Sequence, residues 1–109
     1  MKSIKETDFI VMLTPDDRYR HKHLRIKGKV LSFIVQYETA IKGKWLPVVR
    51  YDTEHGFAHR DLFDRNGVKK KTPMFIKDYN EALSFAEYDI KSNWKFYKQA
   101  FVGGVENES

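Results

Sequence analysis

The alternation of apolar and polar residues predicts a series of β-strands in the first part of the chain. The clearest case is the segment 30–38, in which apolar residues occupy every second position. Successive side chains of a strand point to opposite faces, so this pattern is typical of a strand with one buried face. Short runs bounded by turn residues predict four further strands, at residues 8–14, 45–52, 57–63 and 68–76.

After residue 77 the spacing changes to three and four residues, which predicts one helix. Asp78, with Glu81 three positions later, is typical of a helix N-terminus, and Gly103-Gly104 is typical of its end. The apolar stripe of this helix comprises Tyr79, Leu83, Ala86, Ile90, Trp94, Tyr97 and Phe101. The predicted fold is therefore α+β, an antiparallel meander of about five strands with one C-terminal helix packed on one face.

The length of 109 residues predicts a single domain over residues 1–109. Residues 1–7 are expected to be a loose arm, and residues 103–109 a frayed tail. The absence of cysteine excludes disulfides, thiolate metal sites and cysteine nucleophiles. The N-terminus has no apolar signal segment and no run is long enough to span a membrane, so we expect a cytoplasmic protein without a membrane partner.

A formal charge of +5 favours partners that carry phosphates, although many small proteins are basic merely for solubility. Residues 15–29 are rich in cations and poor in apolar groups, and we expect an exposed basic segment there. It is either a solvated connection or part of a strip that binds nucleic acid. The candidate nucleic-acid-binding residues are Arg18, Tyr19, Arg20, Arg25, Lys69, Lys70 and Lys71, of which the lysines equally suit the protection of an edge strand.

Residues 50–61 concentrate two histidines, two arginines and three carboxylates, more chemistry than any other part of the chain. If residues 53–56 form the loop of a hairpin, Arg50 lies opposite His59, and directly paired residues share a face. Asp52 and Asp61 then lie on that same face, and Arg60 lies on the other. A slip of one residue would exchange the two faces.

This group of residues suits the cleavage of RNA by attack of its 2′-hydroxyl. Histidine can exchange protons near neutral pH, and arginine can bind the phosphate and stabilise charge in the transition state. The candidate catalytic residues are His59, His55, Arg60, Arg50, Asp52 and Asp61. The alternative is a polar hairpin in which pairs of arginine and aspartate stabilise the strands.

Metal binding is a third interpretation of the histidines. His55 and His59 are four residues apart, but Gly56 and the strand-like residues after it argue against a helix that would bring them together. His21 and His23 would point to one side of an extended segment and could join Asp61. Paired histidines alone are a weak signal without thiolates, so we expect no metal and no cofactor.

Three aromatic residues of the predicted helix lie away from its apolar stripe: Phe85, Tyr88 and Phe96. Residues 1–20 would cover them, or they would form a patch for a protein partner or a second copy of the chain. We favour the partner or the homodimer.

The sequence Tyr51-Asp52-Thr-Glu-His55-Gly56-Phe-Ala-His59-Arg60-Asp61 resembles the hairpin of the TumE-type toxins of toxin–antitoxin modules. Those small basic proteins have a Tyr-Asp pair, a short loop with glycine and a His-Arg-His element. Here Asp61 takes the place of the second histidine. The resemblance implies a growth-inhibiting toxin that acts on RNA and is neutralised by an antitoxin, and it transfers Tyr51, Asp52, His59 and Arg60 by position.

Three functions therefore compete. The first is a metal-independent ribonuclease, which would lose activity in His59→Ala. The second is a non-enzymatic module that binds nucleic acid through its basic segment. The third is an adaptor that binds a protein through its exposed aromatic residues.

Overall fold

The computed structural model describes residues 3–103 as a six-stranded antiparallel sheet and one long helix. The elements are β1 (Lys5–Thr14), β2 (Asp17–Ile26), β3 (Lys29–Ile41), β4 (Lys44–Asp52), β5 (His59–Phe63), β6 (Lys69–Pro73) and α1 (Tyr79–Gly103). The strands lie side by side in chain order, so each connection is a hairpin. The predicted α+β meander with a C-terminal helix is confirmed, with six strands where about five were expected.

The additional strand is β2, which lies between β1 and β3. The prediction of an exposed basic segment at 15–29 is therefore wrong for the inward-facing residues of this strand. Tyr19, His21 and His23 are buried on one face of β2, while Arg20 and Lys22 point to the other and are exposed. The segment alternates like any half-buried strand, but its inward residues are polar, which is why apolar patterning does not reveal it.

The predicted N-terminal arm is too long, because β1 begins at Lys5 and pairs with β2 from its first residue. Residues 1–2 and 104–109 lie outside the described residues, and so does most of the predicted tail. The fourth and fifth strands are shorter than expected, at His59–Phe63 and Lys69–Pro73. Pro73 ends an edge strand, as expected for a residue that cannot donate to a ladder.

Two tight turns join the long central strands. Lys27 and Gly28 have φ of 49° and 80°, and Lys42 and Gly43 have φ of 52° and 77°. Two successive residues with positive φ are typical of the turn whose twist matches that of antiparallel strands, and glycine adopts this conformation at little cost. These turns set the register of β2 with β3 and of β3 with β4.

The helix α1 begins where the sequence predicts. The Asp78 side chain accepts a hydrogen bond from the Asn80 backbone N–H at 2.8 Å, and its backbone carbonyl accepts the first helical bond, from Ala82. The predicted stripe packs on β3 and β4, with Ala86 and Ile90 fully buried. Within residues 3–103, no helix is both long and apolar enough to cross a membrane.

The helix packs on one face of the sheet, which we call the helix face, and we call the opposite face the distal face. The helix face carries the row of directly paired residues Phe9, His21, Val35, Tyr51, Arg60 and Thr72. Two rows on the distal face contain predicted site residues. One, the arginine row, consists of Ile10, Arg20, Gln36, Arg50, Asp61 and Lys71, and the other consists of Asp8, Lys22, Ile34, Asp52, His59 and Pro73.

Candidate functional site

The hairpin of β4 and β5 carries the candidate site. Asp52 pairs with His59 and Arg50 pairs with Asp61, so the register differs by two residues from the predicted one. The loop is longer than expected, because Glu54–Gly56 forms a 3₁₀ turn and β5 begins only at His59. A shift of two residues leaves every side chain on its predicted face, so these four residues do share the distal face.

His59 is the centre of this site and is only 1% exposed. Its Nε2 lies 2.7 Å from Asp52 Oδ1 and 3.6 Å from Asp61 Oδ2. Its Nδ1 lies 3.3 Å from the Phe57 carbonyl oxygen, and the Phe57 ring lies beside the imidazole with its centroid at 5.4 Å. The backbone carbonyl and the ring of Phe57 therefore hold the orientation of the imidazole.

The two carboxylates beside His59 have different surroundings. Asp52 Oδ1 also accepts a hydrogen bond from the Glu54 backbone N–H at 3.1 Å. Asp61 is 1% exposed, and neither of its oxygens has a hydrogen-bond partner among the described residues. The nearest cation is the half-exposed Lys69, whose Nζ lies 3.6 Å from Asp61 Oδ2. Among the described residues, one group has side chains placed so that they could bind a metal ion together. It consists of Asp52, His59 and Asp61, with one possible ligand atom from each within 4.8 Å of the others.

Arg50 adjoins this group on the distal face. Its Nε donates a hydrogen bond to Gln36 Oε1 at 2.6 Å, and its guanidinium carbon lies 5.0 Å from the centroid of the Phe63 ring. Both contacts hold the planar guanidinium on the distal face, where Arg50 is paired with Asp61 in the strand register. Arginine in such a position can bind a phosphate through two parallel hydrogen bonds.

Two predicted catalytic residues do not join His59. His55 lies in the 3₁₀ turn with φ of 73° and an exposed ring, 3.9 Å from the Glu54 carboxylate. Arg60 lies on the helix face, as predicted, beneath α1. Burial alone would lower the pKa of Arg60, but its interactions with Tyr97, whose hydroxyl accepts a hydrogen bond from it, and with Tyr51 together outweigh burial and raise the pKa. Neither residue can act with His59 in this arrangement.

The register also divides the predicted nucleic-acid-binding residues. Those on the distal face are Arg18, Arg20, Lys69 and Lys71, and those on the helix-face side are Tyr19, Arg25 and Lys70. Tyr19 is 2% exposed and cannot stack on a base, so that prediction is wrong. The Arg18 guanidinium is bonded to Glu38 at 2.7 Å and lies 4.0 Å above the Trp45 ring. Within the arginine row, Arg20 and Lys71 are the exposed cations.

The other two histidines lie beneath the helix and not with Asp61, so the alternative in which they would join Asp61 in a metal site is wrong. His21 Nε2 is 2.6 Å from His23 Nδ1, and His21 Nδ1 contacts the Glu87 carboxylate of α1. Burial, together with His21 and Arg25, lowers the pKa of His23. Burial would raise the pKa of Glu87, but its interactions with His21, Tyr19 and Lys91 together outweigh burial and lower the pKa.

Sequence reasoning missed two further carboxylates of the helix face. Asp89 of α1 accepts hydrogen bonds from the Tyr51 and Tyr97 hydroxyls and from Asn93. Burial and the bond to Asp89 raise the pKa of Tyr51 well above its ordinary value. Asp17 has a similar environment on β2, described below. The signal that was available is the polar residue within the apolar stripe, since position 89 lies three residues after Ala86.

The aromatic residues away from the helix stripe are exposed. Phe85, Tyr88 and Phe96 have exposed fractions of 47%, 68% and 68%. The alternative that residues 1–20 cover them is therefore wrong for the part of that segment that the structure describes. The choice between a protein partner and a second copy stays open.

Comparison with known families gives one match. Residues 4–107 match the family described as a domain of unknown function, DUF7718. The chain belongs to this family. No curated protein and no solved structure matches the chain. The family description names no activity, so the resemblance to TumE-type toxins stays a prediction.

Proposed function

We propose that this DUF7718 protein binds single-stranded RNA on the distal face of its sheet. The observation that carries the proposal is the strand register, which aligns Arg20, Arg50 and Lys71 in one row across the strands. These cations lie on alternate strands, so their Cα atoms are roughly 10 Å apart. A row of cations can follow a phosphate backbone, and its neutralisation releases counterions that favour binding.

The aromatic rings of the same face favour RNA with unpaired bases over a duplex. Trp45 lies under Arg18, and Phe63 lies beside Arg50. Unpaired bases stack on aromatic side chains and on guanidinium planes, and antiparallel sheets with such residues are a common surface for this kind of recognition. We expect the interaction to take place in the cytoplasm.

The test is the affinity for a labelled single-stranded RNA, measured by fluorescence anisotropy over a series of salt concentrations with EDTA present. The triple variant Arg20→Gln/Arg50→Gln/Lys71→Gln should lose at least about tenfold in affinity, and its salt dependence should fall by roughly two units of slope. The control Arg25→Gln/Lys70→Gln/Lys95→Gln has the same change in charge on other surfaces, and it should retain most of the affinity. Equal losses in the two variants, or no binding by the wild type, would reject the proposal.

A second candidate is a ribonuclease toxin, supported by the shared face of Arg50, Asp52, His59 and Asp61. Because His59 is buried and both its ring nitrogens have close partners, it would position other groups and not contact the RNA itself. Purified protein with a mixed RNA substrate and EDTA would test metal-independent cleavage, with His59→Ala as the inactive variant and His55→Ala as the matched control. Cleavage that both variants retain would exclude this site.

A toxin of this kind would have an antitoxin partner, and the exposed Phe85, Tyr88 and Phe96 on the outer side of α1 suit such a contact. A homodimer is the competing occupant. Light scattering of the purified chain separates the two, since a monomer leaves the patch for a different protein and a dimer lost in Phe96→Ser assigns it to a second copy.

A further inference from the structure

The three residues Asp52, His59 and Asp61 bring one nitrogen and several oxygens together in a buried place. Their side chains are 7%, 1% and 1% exposed, and one ligand atom from each lies within 4.8 Å of the others. Buried ionised carboxylates are costly unless they are paired, hydrogen-bonded or bound to a metal. The question is which of these applies to this group.

The orientation of His59 gives the first indication. Its Nδ1 faces the Phe57 carbonyl oxygen, which can only accept, so the ring proton lies on Nδ1. In the neutral imidazole, Nε2 then presents a lone pair to Asp52 Oδ1, only 2.7 Å away. Two acceptors at this separation repel each other unless a proton or a cation lies between them. A ring nitrogen that donates to a backbone carbonyl is also the usual arrangement of a histidine that binds a metal through its other nitrogen.

The second and independent indication is Asp61. Both of its oxygens are buried without a hydrogen-bond partner among residues 3–103, and one of them points toward His59 Nε2 at 3.6 Å. Lys69 lies at 3.6 Å, beyond hydrogen-bonding distance, on an edge strand where its side chain can turn to solvent. A carboxylate in this state has unused capacity to bind a cation.

We infer that Asp52, His59 and Asp61 bind a divalent transition-metal ion. An imidazole nitrogen favours transition metals over Mg²⁺ and Ca²⁺, which prefer oxygen ligands alone, while two carboxylates suit Zn²⁺ and Mn²⁺. With a neutral imidazole the group carries two negative charges, which a divalent ion neutralises. The inference departs from the sequence prediction of no metal, and it does not depend on the binding of RNA.

The distances are compatible with such an ion. Ligand atoms about 2.1 Å from a tetrahedral metal are roughly 3.4 Å apart. The separation between His59 Nε2 and Asp61 Oδ2 is 3.6 Å, while Asp52 Oδ1 at 2.7 Å has to move outward by less than about 1 Å. Asp52 is the last residue of β4, and its Oδ1 is also held by the Glu54 backbone N–H at 3.1 Å.

The test is calorimetric titration of the metal-free protein with Zn²⁺ and with Mn²⁺, without RNA. Wild type should bind at least one of these ions with one site per chain, and Asp61→Asn should weaken binding by at least about tenfold. His55→Ala, which removes an exposed histidine four residues away, should bind as the wild type does. Circular dichroism checks that each variant is folded, and Asp52→Asn replaces Asp61→Asn if the latter is not.

A variant with the opposite expected effect guards against indirect damage. Lys69→Met removes the cation that competes for Asp61 and should tighten metal binding several-fold. No binding by the wild type, equal binding by wild type and Asp61→Asn, or weaker binding by Lys69→Met would overturn the inference. Equally strong binding of Mg²⁺ would overturn the assignment to a transition metal.

The metal inference and the RNA proposal can fail separately. Metal binding is measured without RNA, and RNA binding is measured with EDTA. Metal binding without RNA affinity rejects only the proposed function, and RNA affinity without metal binding rejects only the inference.

Discussion

Asp17 on the helix face and Asp61 on the distal face are equally buried, with exposed fractions of 2% and 1%, but their surroundings differ completely. Asp17 accepts hydrogen bonds from the Tyr37 hydroxyl at 2.6 Å, from Thr14 and Thr39, and from the Lys98 ammonium at 3.0 Å. Asp61 has no such partner among the described residues. A buried carboxylate whose hydrogen bonds are satisfied stabilises a fold, whereas a buried carboxylate without such partners has unused capacity to accept a donor or an ion.

The pKa of Asp17 follows the same logic. Burial alone would raise it, but the hydrogen bonds from Thr14, Tyr37 and Lys98 outweigh burial and lower it. Glu87 and Asp89 of α1 also have bonded partners on the helix face. Asp17 and Asp89 therefore link the helix to the sheet, in contrast to Asp61 of the distal face. Not every polar atom of the helix face is bonded in this way, since His23 Nε2, Arg60 Nε and Glu87 Oε2 are buried without a hydrogen-bond partner among the described residues.

The largest effect that would test this contrast is the loss of Asp17. Asp17→Ala leaves the buried Tyr37 hydroxyl without its acceptor and the Lys98 ammonium without its carboxylate, so the free energy of unfolding should fall by about 3 kcal/mol. Denaturant unfolding measures it. The control Asp16→Ala removes the exposed neighbouring carboxylate and should change stability by less than about 0.5 kcal/mol. A loss below about 1 kcal/mol in Asp17→Ala would contradict the structural role.

The pH dependence of stability should report His23, which is buried beneath the helix. The pKa of His23 is lowered in the folded chain, whereas the unfolded chain binds this proton below a pH of about 6.5. The unfolded state therefore binds more protons, and stability should fall as the pH drops below about 6.5, with a slope of at most about 1.4 kcal/mol per pH unit. The contribution of Glu87, whose pKa is also lowered, is lost only at more acidic pH.

Unfolding curves between pH 7.5 and pH 5.5 would measure this slope. His23→Gln should make it shallower, and His55→Gln, at an exposed position, should leave it unchanged. An identical slope in wild type and His23→Gln would show that another group is responsible.

The third prediction concerns the distal carboxylate. In EDTA, Asp61→Asn should alter the free energy of unfolding by less than about 1 kcal/mol, because it removes a buried charge that lacks hydrogen bonds. Thermal or denaturant unfolding compares it directly with Asp17→Ala. A destabilisation as large as that of Asp17→Ala would make Asp61 another structural residue and remove the contrast.

The smallest effect separates two neighbouring lysines of β6. Lys71 lies in the arginine row, whereas Lys70 points to the helix side. Lys71→Gln should weaken RNA binding by a few-fold, by about 0.5–1 kcal/mol, and Lys70→Gln should change it by less than twofold, as expected for a lost phosphate contact and a distant charge. Anisotropy titrations at one low salt concentration measure both, and equal effects would mean that charge alone matters.

The distal face of the β4–β5 hairpin was predictable although its register was not. The side-chain period of a strand is two, so an error of two residues leaves Arg50, Asp52, His59 and Asp61 on one face. The strand β2 was not predictable from apolar patterning, because its buried residues include Asp17, Tyr19, His21 and His23. From the sequence alone, such polar residues are expected to be exposed. Their contacts with α1 and β3, which the tertiary structure provides, explain their burial.

The sequence by itself determined the α+β class, the meander, the start of α1 and the grouping of the site residues by face. These follow from local periods, turns and caps, which depend on neighbours along the chain. The tertiary structure alone decided that His21 and His23 lie beneath α1 and that His55 does not contact His59. It also decided that Asp61 is buried without a hydrogen-bond partner among the described residues. Burial and hydrogen bonding depend on residues distant in sequence, such as Glu87 and Lys98, so local patterns do not contain them.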